Sequence, residues 1–302
     1  MPIRKARPRQ PRRLEPMSNV GHIDAKCPMN WTASMTRVVV SLTAIPPRFP
    51  YLDEVLQVLL RQTLKPEAIL LNIPQRYRRE SFNPVEPPVV PEGVTLNRVE
   101  RDFGPATKVL PAVQKYRDQD MLIFFCDDDK IYDPQVLERF VAAAETRPDC
   151  CIVEEGSDIF EASEIRFSGT RMPRYDRRRK DWLYRVKRAA SLGTWKSRKA
   201  ASSGYADILE GWGGVMVRPS FFGDEVFDIP DPLWLVDDIW LSGHLTTRNV
   251  PIWLDFGGPR ARASREDVKQ FALLRQVVGG LDRTALNTAC VRYYQETYGI
   301  WR

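Results

Sequence analysis

Three consecutive aspartates, Asp127, Asp128 and Asp129, directly follow the apolar run MLIFFC, Met121 to Cys126. Carboxylates delivered together at the end of a hydrophobic strand repel one another, which is costly unless a cation neutralises them. Their oxygens are hard donors of the kind that hold Mg²⁺ or Mn²⁺. Asp127 and Asp129 are two apart, so both can face one ion as the chain leaves the strand. The same triplet can equally form a helix-capping acidic turn, and the residues alone leave both readings open. A second acidic pair, Asp237 and Asp238, opens the run DDIWLSGHL, where either carboxylate can cap a helix. Other chemistries find less support. There are only two histidines, His22 and His244, and the five cysteines (Cys27, Cys126, Cys150, Cys151, Cys290) show no CxxC spacing. That argues against structural zinc and against a disulfide framework. Ser41 and Ser242 lack a GxSxG context, and no GxGxxG or Walker loop follows the first strand.

The elements that must position these acids read as alternating strands and helices. RVVVSL (37–42), AILLNI (68–73), Val94 to Val99 and MLIFFC are strand-like, with CCIVEE, GVMVRPSFF and VPIWLDF as later candidates. YLDEVLQVLLRQ places Leu52, Val55, Leu56, Leu59 and Leu60 at helical spacing. Further helices are expected at about 105–116, in QVLERFVAAAET with Asp133 as N-cap and Pro134 at its first position, in DIWLSGHL, and over 266–280. This alternation predicts an α/β fold with a mostly parallel central sheet, and ligands in such sheets bind beyond the carboxyl ends of the strands. Asp127 to Asp129 occupy that position.

The chain of 302 residues carries a formal net charge of +6, unevenly spread. Residues 1–36 contribute +5 and residues 171–199 contribute +10, leaving −9 for the rest. An acidic core suits a metal site; the basic segments attract phosphates, anionic lipid or nucleic acid without reading sequence. The second basic segment interleaves Tyr175, Trp182, Tyr184 and Trp195 with its lysines and arginines. With no long apolar stretch, the expected location is cytoplasmic, with peripheral contact at an anionic inner membrane face as an option. A basic tail over 1–36 and a flexible loop over 163–203 complete the expected organisation.

FFCDDDKIYDP resembles the Asp-x-Asp signature of glycosyltransferases of the GT-A fold, in which the acids bind a divalent ion on the donor diphosphate. Three further segments, in order, are similar to that fold: VVVSLTAIPPR with DFGPATK, EGWGGVMVRPSFF, and WLVDDIWLSGHL. The resemblance spans about residues 37–260. It implies a Rossmann-like sandwich over 37–302, with a nucleotide-sugar-binding half (37–130), an acceptor half (131–260) and a C-terminal helical segment (261–302). By the same resemblance Thr43, Arg48, Asp102, Lys108 and Asp128 would bind the donor. Trp212, Gly213 and Gly214 would meet the acceptor, though the glycines can equally form a bulge and the tryptophan can simply pack. Asp127 and Asp129, with His244 closing the shell, would hold Mn²⁺ or Mg²⁺. Asp238 would be the base of an inverting transfer, with Asp237 orienting donor or acceptor.

The implied partners are a nucleotide-sugar donor and a glycan or lipid-linked acceptor, as in polysaccharide biosynthesis. Two rivals remain at this stage. One is a nucleotidyltransferase, which would release pyrophosphate. The other is a non-enzymatic protein binding nucleic acid or an anionic surface through its basic segments.

Overall fold

Short runs of β-branched and aromatic residues, buried on both faces, form the centre of the molecule, as a sheet covered by helices requires. The computed structural model describes residues 36–178, 186, 189–190, 199–264 and 282–302. The first half contains β1 (Val38–Thr43), α1 (Leu52–Leu60), β2 (Ala68–Pro74), β3 (Val94–Val99), α2 (Leu110–Lys115), β4 (Leu122–Phe125), β5 (Lys130–Ile131) and α3 (Val136–Thr146). Then come β6 (Cys151–Val153), β7 (Gly156–Ser157), α4 (Ile159–Ala162), β8 (Gly204–Ala206), β9 (Ile208–Leu209) and β10 (Val215–Val217). The chain closes with α5 (Asp237–Thr247), β11 (Ile252–Leu254), β12 (Arg262–Ala263) and α6 (Arg283–Thr297).

Eight strands form one sheet in the order β3-β2-β1-β4-β10-β6-β11-β8. β10 and β8 run antiparallel to their neighbours, and the other six strands point one way. β1 has β2 on one side and β4 on the other, so the order reverses there, and the crevice at their carboxyl ends is where an open α/β sheet binds ligands. The register sets Ser41 beside Phe125, two residues short of Asp127.

Alternation along the strands feeds two cores. Val40, Leu42, Leu71 and Phe124 face α1 and α3, whereas Val39, Ile123, Phe125 and Val153 face α2, α5 and α6. Among the described residues no helix is long and apolar enough to cross a membrane.

The expected elements appear with local differences. Asp133 does not cap α3, which begins at Val136 with Gln135 before it. Its carboxylate instead accepts the Gln135 N–H and pairs with Arg139. The helix expected over 105–116 is a 3₁₀ turn, Gly104–Lys108, followed by the short α2. The segment foreseen as a flexible loop is held at both ends. Tyr175 is buried, Arg174 pairs with Asp158 and Asp207, and the Arg178 N–H donates to the Lys199 carbonyl at 2.8 Å. Trp182, Tyr184 and Trp195, the basic tail before Thr36, and the helix expected over 266–280 lie outside the described residues.

Candidate functional site

β4 delivers Asp127, Asp128 and Asp129 into the crevice, and the three carboxylates diverge. The Asp127 and Asp129 side chains keep 30% and 18% of their surface exposed, while Asp128 keeps 5%. The outer two acids therefore face the opening and the middle one turns inward. Asp128 pairs there with Arg48, from the 3₁₀ turn Pro46–Tyr51 that follows β1. Arg48 also reaches Asp129 at 3.5 Å, and Lys130 pairs with Asp129. Arg48 is thus a half-buried member of the site. Burial pushes the Asp128 carboxyl up to about 6, with Arg48 pulling it down and its two neighbouring acids pushing it up.

Lys108 joins the two acidic segments. Its Nζ stands 2.8 Å from Asp127 Oδ1 and 2.9 Å from Asp237 Oδ2; the second contact is an ion pair without hydrogen-bond alignment. A lone lysine after a turn is usually solvated, but this one is buried. Burial works against its charge, yet Asp127, Asp237 and Asp238 outweigh it and raise the ammonium well above the usual lysine range. Burial likewise opposes the Asp127 carboxylate, but Lys108, Lys130 and Arg48 hold it below its ordinary value. The Ser41 hydroxyl donates to the Lys108 carbonyl at 2.6 Å and fixes the base of this side chain to β1.

Asp237 and Asp238 form the first turn of α5, where the helix dipole favours negative charge. Asp238 Oδ1 accepts the Gly211 N–H at 3.1 Å. Burial and then the neighbouring Asp237 charge raise its carboxyl to about 7, against Lys108 and Arg283. Trp234 ties this segment to the DFGPATK turn: its indole N–H donates to the Asp102 carbonyl at 3.1 Å, and its ring covers Gly104. Gly104 has φ +62°, and a Cβ there would stand 2.7 Å from the Trp234 carbonyl oxygen.

The remaining expected residues are placed as follows. Asp102 locks a turn, its two oxygens accepting the Arg78 and Gly104 N–H groups at 2.8 Å each. Thr43 donates its hydroxyl to the Asn72 carbonyl within β2. Gly213 and Gly214 are met by protein rather than open space. A Cβ at Gly213 would stand 2.7 Å from Glu155 Cβ, and one at Gly214, where φ is +84°, 2.7 Å from the Phe124 ring. Trp212 donates its indole N–H to Glu210 at 2.7 Å, and the Arg260 guanidinium lies 4.6 Å from its ring centroid.

His244 is not brought to the acidic cluster. It lies seven residues beyond Asp237, about 10 Å along the helix, between the rings of Trp240, Tyr294 and Tyr298. Its charged neighbours are Glu225 and Arg248, and burial lowers its pKa to about 4.

Several members of the site escaped sequence reasoning. Gly211 is the glycine of EGWGG that faces the acids: a Cβ there would stand 2.3 Å from Lys108 Nζ and 3.2 Å from Asp238 Oδ1. Glu155 lies two residues beyond β6, against Gly213, and the signal that could have found it was available, since CIVEE delivers acids from an apolar strand as MLIFFC does. β12 pairs with β5, and the Ser264 N–H donates to the Asp129 carbonyl at 3.0 Å, so residues 262–264 buttress the acidic loop. No motif marked that segment.

The donor set fits a hard divalent cation. Asp127 and Asp129 offer carboxylate oxygens at the opening, and Mg²⁺ in particular is commonly held by one or two carboxylates with substrate phosphates and water completing the shell. Among the described residues no group of three His, Cys, Asp or Glu side chains is arranged around one point. Both carboxylates are paired with cationic side chains, Asp127 with Lys108 and Asp129 with Lys130 and Arg48. No protein-family model matches the chain, and no curated protein matches it.

Proposed function

We propose that the protein is a glycosyltransferase of the GT-A type, which transfers a sugar from a nucleotide-sugar to an acceptor hydroxyl with inversion. The observation that carries the reading is the convergence of two acidic segments, Asp127 to Asp129 and Asp237-Asp238, on one buried lysine at the point where the sheet order reverses. The first segment matches donor binding in position and donor type. The second carries a carboxyl raised to about 7, close to the range where a general base works best.

On this reading Asp127 and Asp129 would hold Mn²⁺ or Mg²⁺, which when bound supplies positive charge to the departing diphosphate. Lys108 stands where it can reach the same phosphates. Arg48 keeps Asp128 ionised and turned inward, which leaves the outer two acids directed to the opening. Asp238, oriented by the Gly211 N–H, takes the acceptor proton as the acceptor oxygen bonds to the anomeric carbon. The bond from that carbon to the diphosphate oxygen breaks on the opposite face, and its electrons leave with the nucleoside diphosphate. Asp237 stays paired with Lys108 and sustains the proton affinity of Asp238.

The acceptor side differs from the expectation. The Arg260 guanidinium is stacked on Trp212, both later glycines are backed by side chains and Gly211 is filled by Lys108, so none of the three glycines leaves an open face for a sugar. A glycan or lipid-linked saccharide fits the need for a hydroxyl nucleophile. Peripheral contact with an anionic membrane through the basic segments belongs to the same proposal.

Calorimetric titration of UDP, GDP and dTDP, with and without Mn²⁺, tests the donor half. One nucleotide should bind in a metal-dependent way, and Asp129→Ala should lose that dependence. Absence of binding by every nucleotide would leave the reading without support.

A further inference from the structure

The contacts of Lys108 bear on how an ion and a donor enter the site. Its Nζ occupies Asp127 Oδ1 at 2.8 Å, one of the oxygens a divalent ion would use, and reaches Asp237 on its other side. The ammonium is enclosed. Gly211 leaves it only the space of a missing Cβ, and the Phe125 ring centroid lies 5.9 Å away. The backbone beneath it is fixed by the Ser41 hydroxyl. Its enclosure holds it between the two carboxylates, and losing the Asp127 partner is costly unless another anion replaces it, since Asp237 alone would then remain.

We infer that Lys108 is a resident cation that competes with the divalent ion for Asp127, so that the ion binds well only together with an anionic nucleotide. The inference rests on the metal reading above. The phosphates of the nucleotide supply the anion that Lys108 needs on leaving Asp127, and the oxygen so vacated becomes available to the ion. Metal and nucleotide then bind with strong mutual enhancement, and an ion without a nucleotide binds poorly. Gly211 is part of the device, because any side chain there would push the ammonium from its seat.

The test is Mn²⁺ binding measured from the electron paramagnetic resonance signal of the free ion, alone and with UDP, GDP or dTDP. The proteins are wild type, Lys108→Met and Gly211→Ala. Lys108→Met should bind Mn²⁺ alone at least about tenfold more tightly than wild type, because a positive charge a few ångströms from the ion has been removed. The enhancement by nucleotide seen in wild type should largely vanish in this variant. Gly211→Ala keeps the charge and displaces it, so it should change both quantities in the same direction; it decides the matter if Lys108→Met does not fold, as judged by circular dichroism. Equal or weaker Mn²⁺ binding by a folded Lys108→Met protein, with wild-type binding intact, overturns the competition and leaves the metal reading standing. A wild type that binds no Mn²⁺ under any condition overturns both.

Discussion

Asp238 makes the most exposed claim at the residue scale. If it is the base, Asp238→Asn should lower turnover at least about a hundredfold while leaving Mn²⁺-dependent nucleotide binding near wild type. If it only caps α5, asparagine serves as well and turnover should persist. Because its carboxyl is raised to about 7, activity should climb as pH rises through neutrality and the base ionises. Stability should follow the opposite sign. The folded protein holds a proton on Asp238 that the unfolded chain releases near the ordinary aspartate value of 3.8. That contribution is present below 3.8 and is lost as pH rises to about 7. Comparing the pH dependence of unfolding in wild type and Asp238→Asn isolates it.

How legible the site was depended on what each residue needed from its neighbours. The aspartate triplet stood out because an apolar strand ran straight into it, and the second pair because it opened a helix. Lys108 and Arg48 were visible only as positions within a family resemblance. Their real surroundings, carboxylates 19 and 80 residues away in sequence, are set by strand order, which local pattern does not encode. Gly211 was hidden behind its neighbours. Three glycines in five residues look alike on paper, and only the fold decides which one borders the acids.

At the scale of elements, β1, β2 and β4 were read to within about a residue at each end because each is a short continuous apolar run buried on both faces. The edge strand β8 and the two-residue strands β5, β7, β9 and β12 carry no such run and were not foreseen. The antiparallel placement of β10 between β4 and β6 was not legible, since a three-residue strand carries no signal of direction. The packing of α5 on α6 makes a prediction that tests one of the displaced assignments. His244 is buried among aromatic rings with its pKa lowered to about 4, so the folded state resists protonating it. Its contribution to stability is present above about 6.5 and is lost as pH falls toward 4, by up to about 3 kcal/mol. His244→Leu should flatten that acid limb in thermal unfolding curves and leave Mn²⁺ binding unchanged. Loss of Mn²⁺ binding in this variant would restore the histidine to the metal shell. Gly104→Ala tests the contact between the DFGPATK turn and the segment entering α5. Alanine there must adopt φ near +62° and meet the Trp234 carbonyl at 2.7 Å, so a loss of about 2 kcal/mol or more is expected in denaturant unfolding.

For the described residues taken together, the sheet order brings the two acidic segments and their cationic partners to one end of the sheet. The turn after β1 carries Arg48, the turn before α2 carries Lys108, β4 ends in the aspartates, and the antiparallel β10 brings Gly211 and Trp212 beside them. α5 closes the ring with its acidic first turn. This concentration is why a transferase reading explains more of the chain than a surface-binding one, in which the acids would serve only as caps. Lys199, at the stem of the basic segment, pairs with Glu210 at 2.7 Å, so that segment departs from the rim of the same site.

The most direct measurement is nucleoside diphosphate release from a panel of UDP-, GDP- and dTDP-sugars, with and without Mn²⁺, by wild type, Asp129→Ala and Asp238→Asn. Slow acceptor-independent release from one donor is expected, dependent on Mn²⁺ and abolished by Asp129→Ala. Asp238→Asn should retain metal-dependent binding of that donor. Release of pyrophosphate from nucleoside triphosphates instead, or no release and no binding with any donor, would contradict the account.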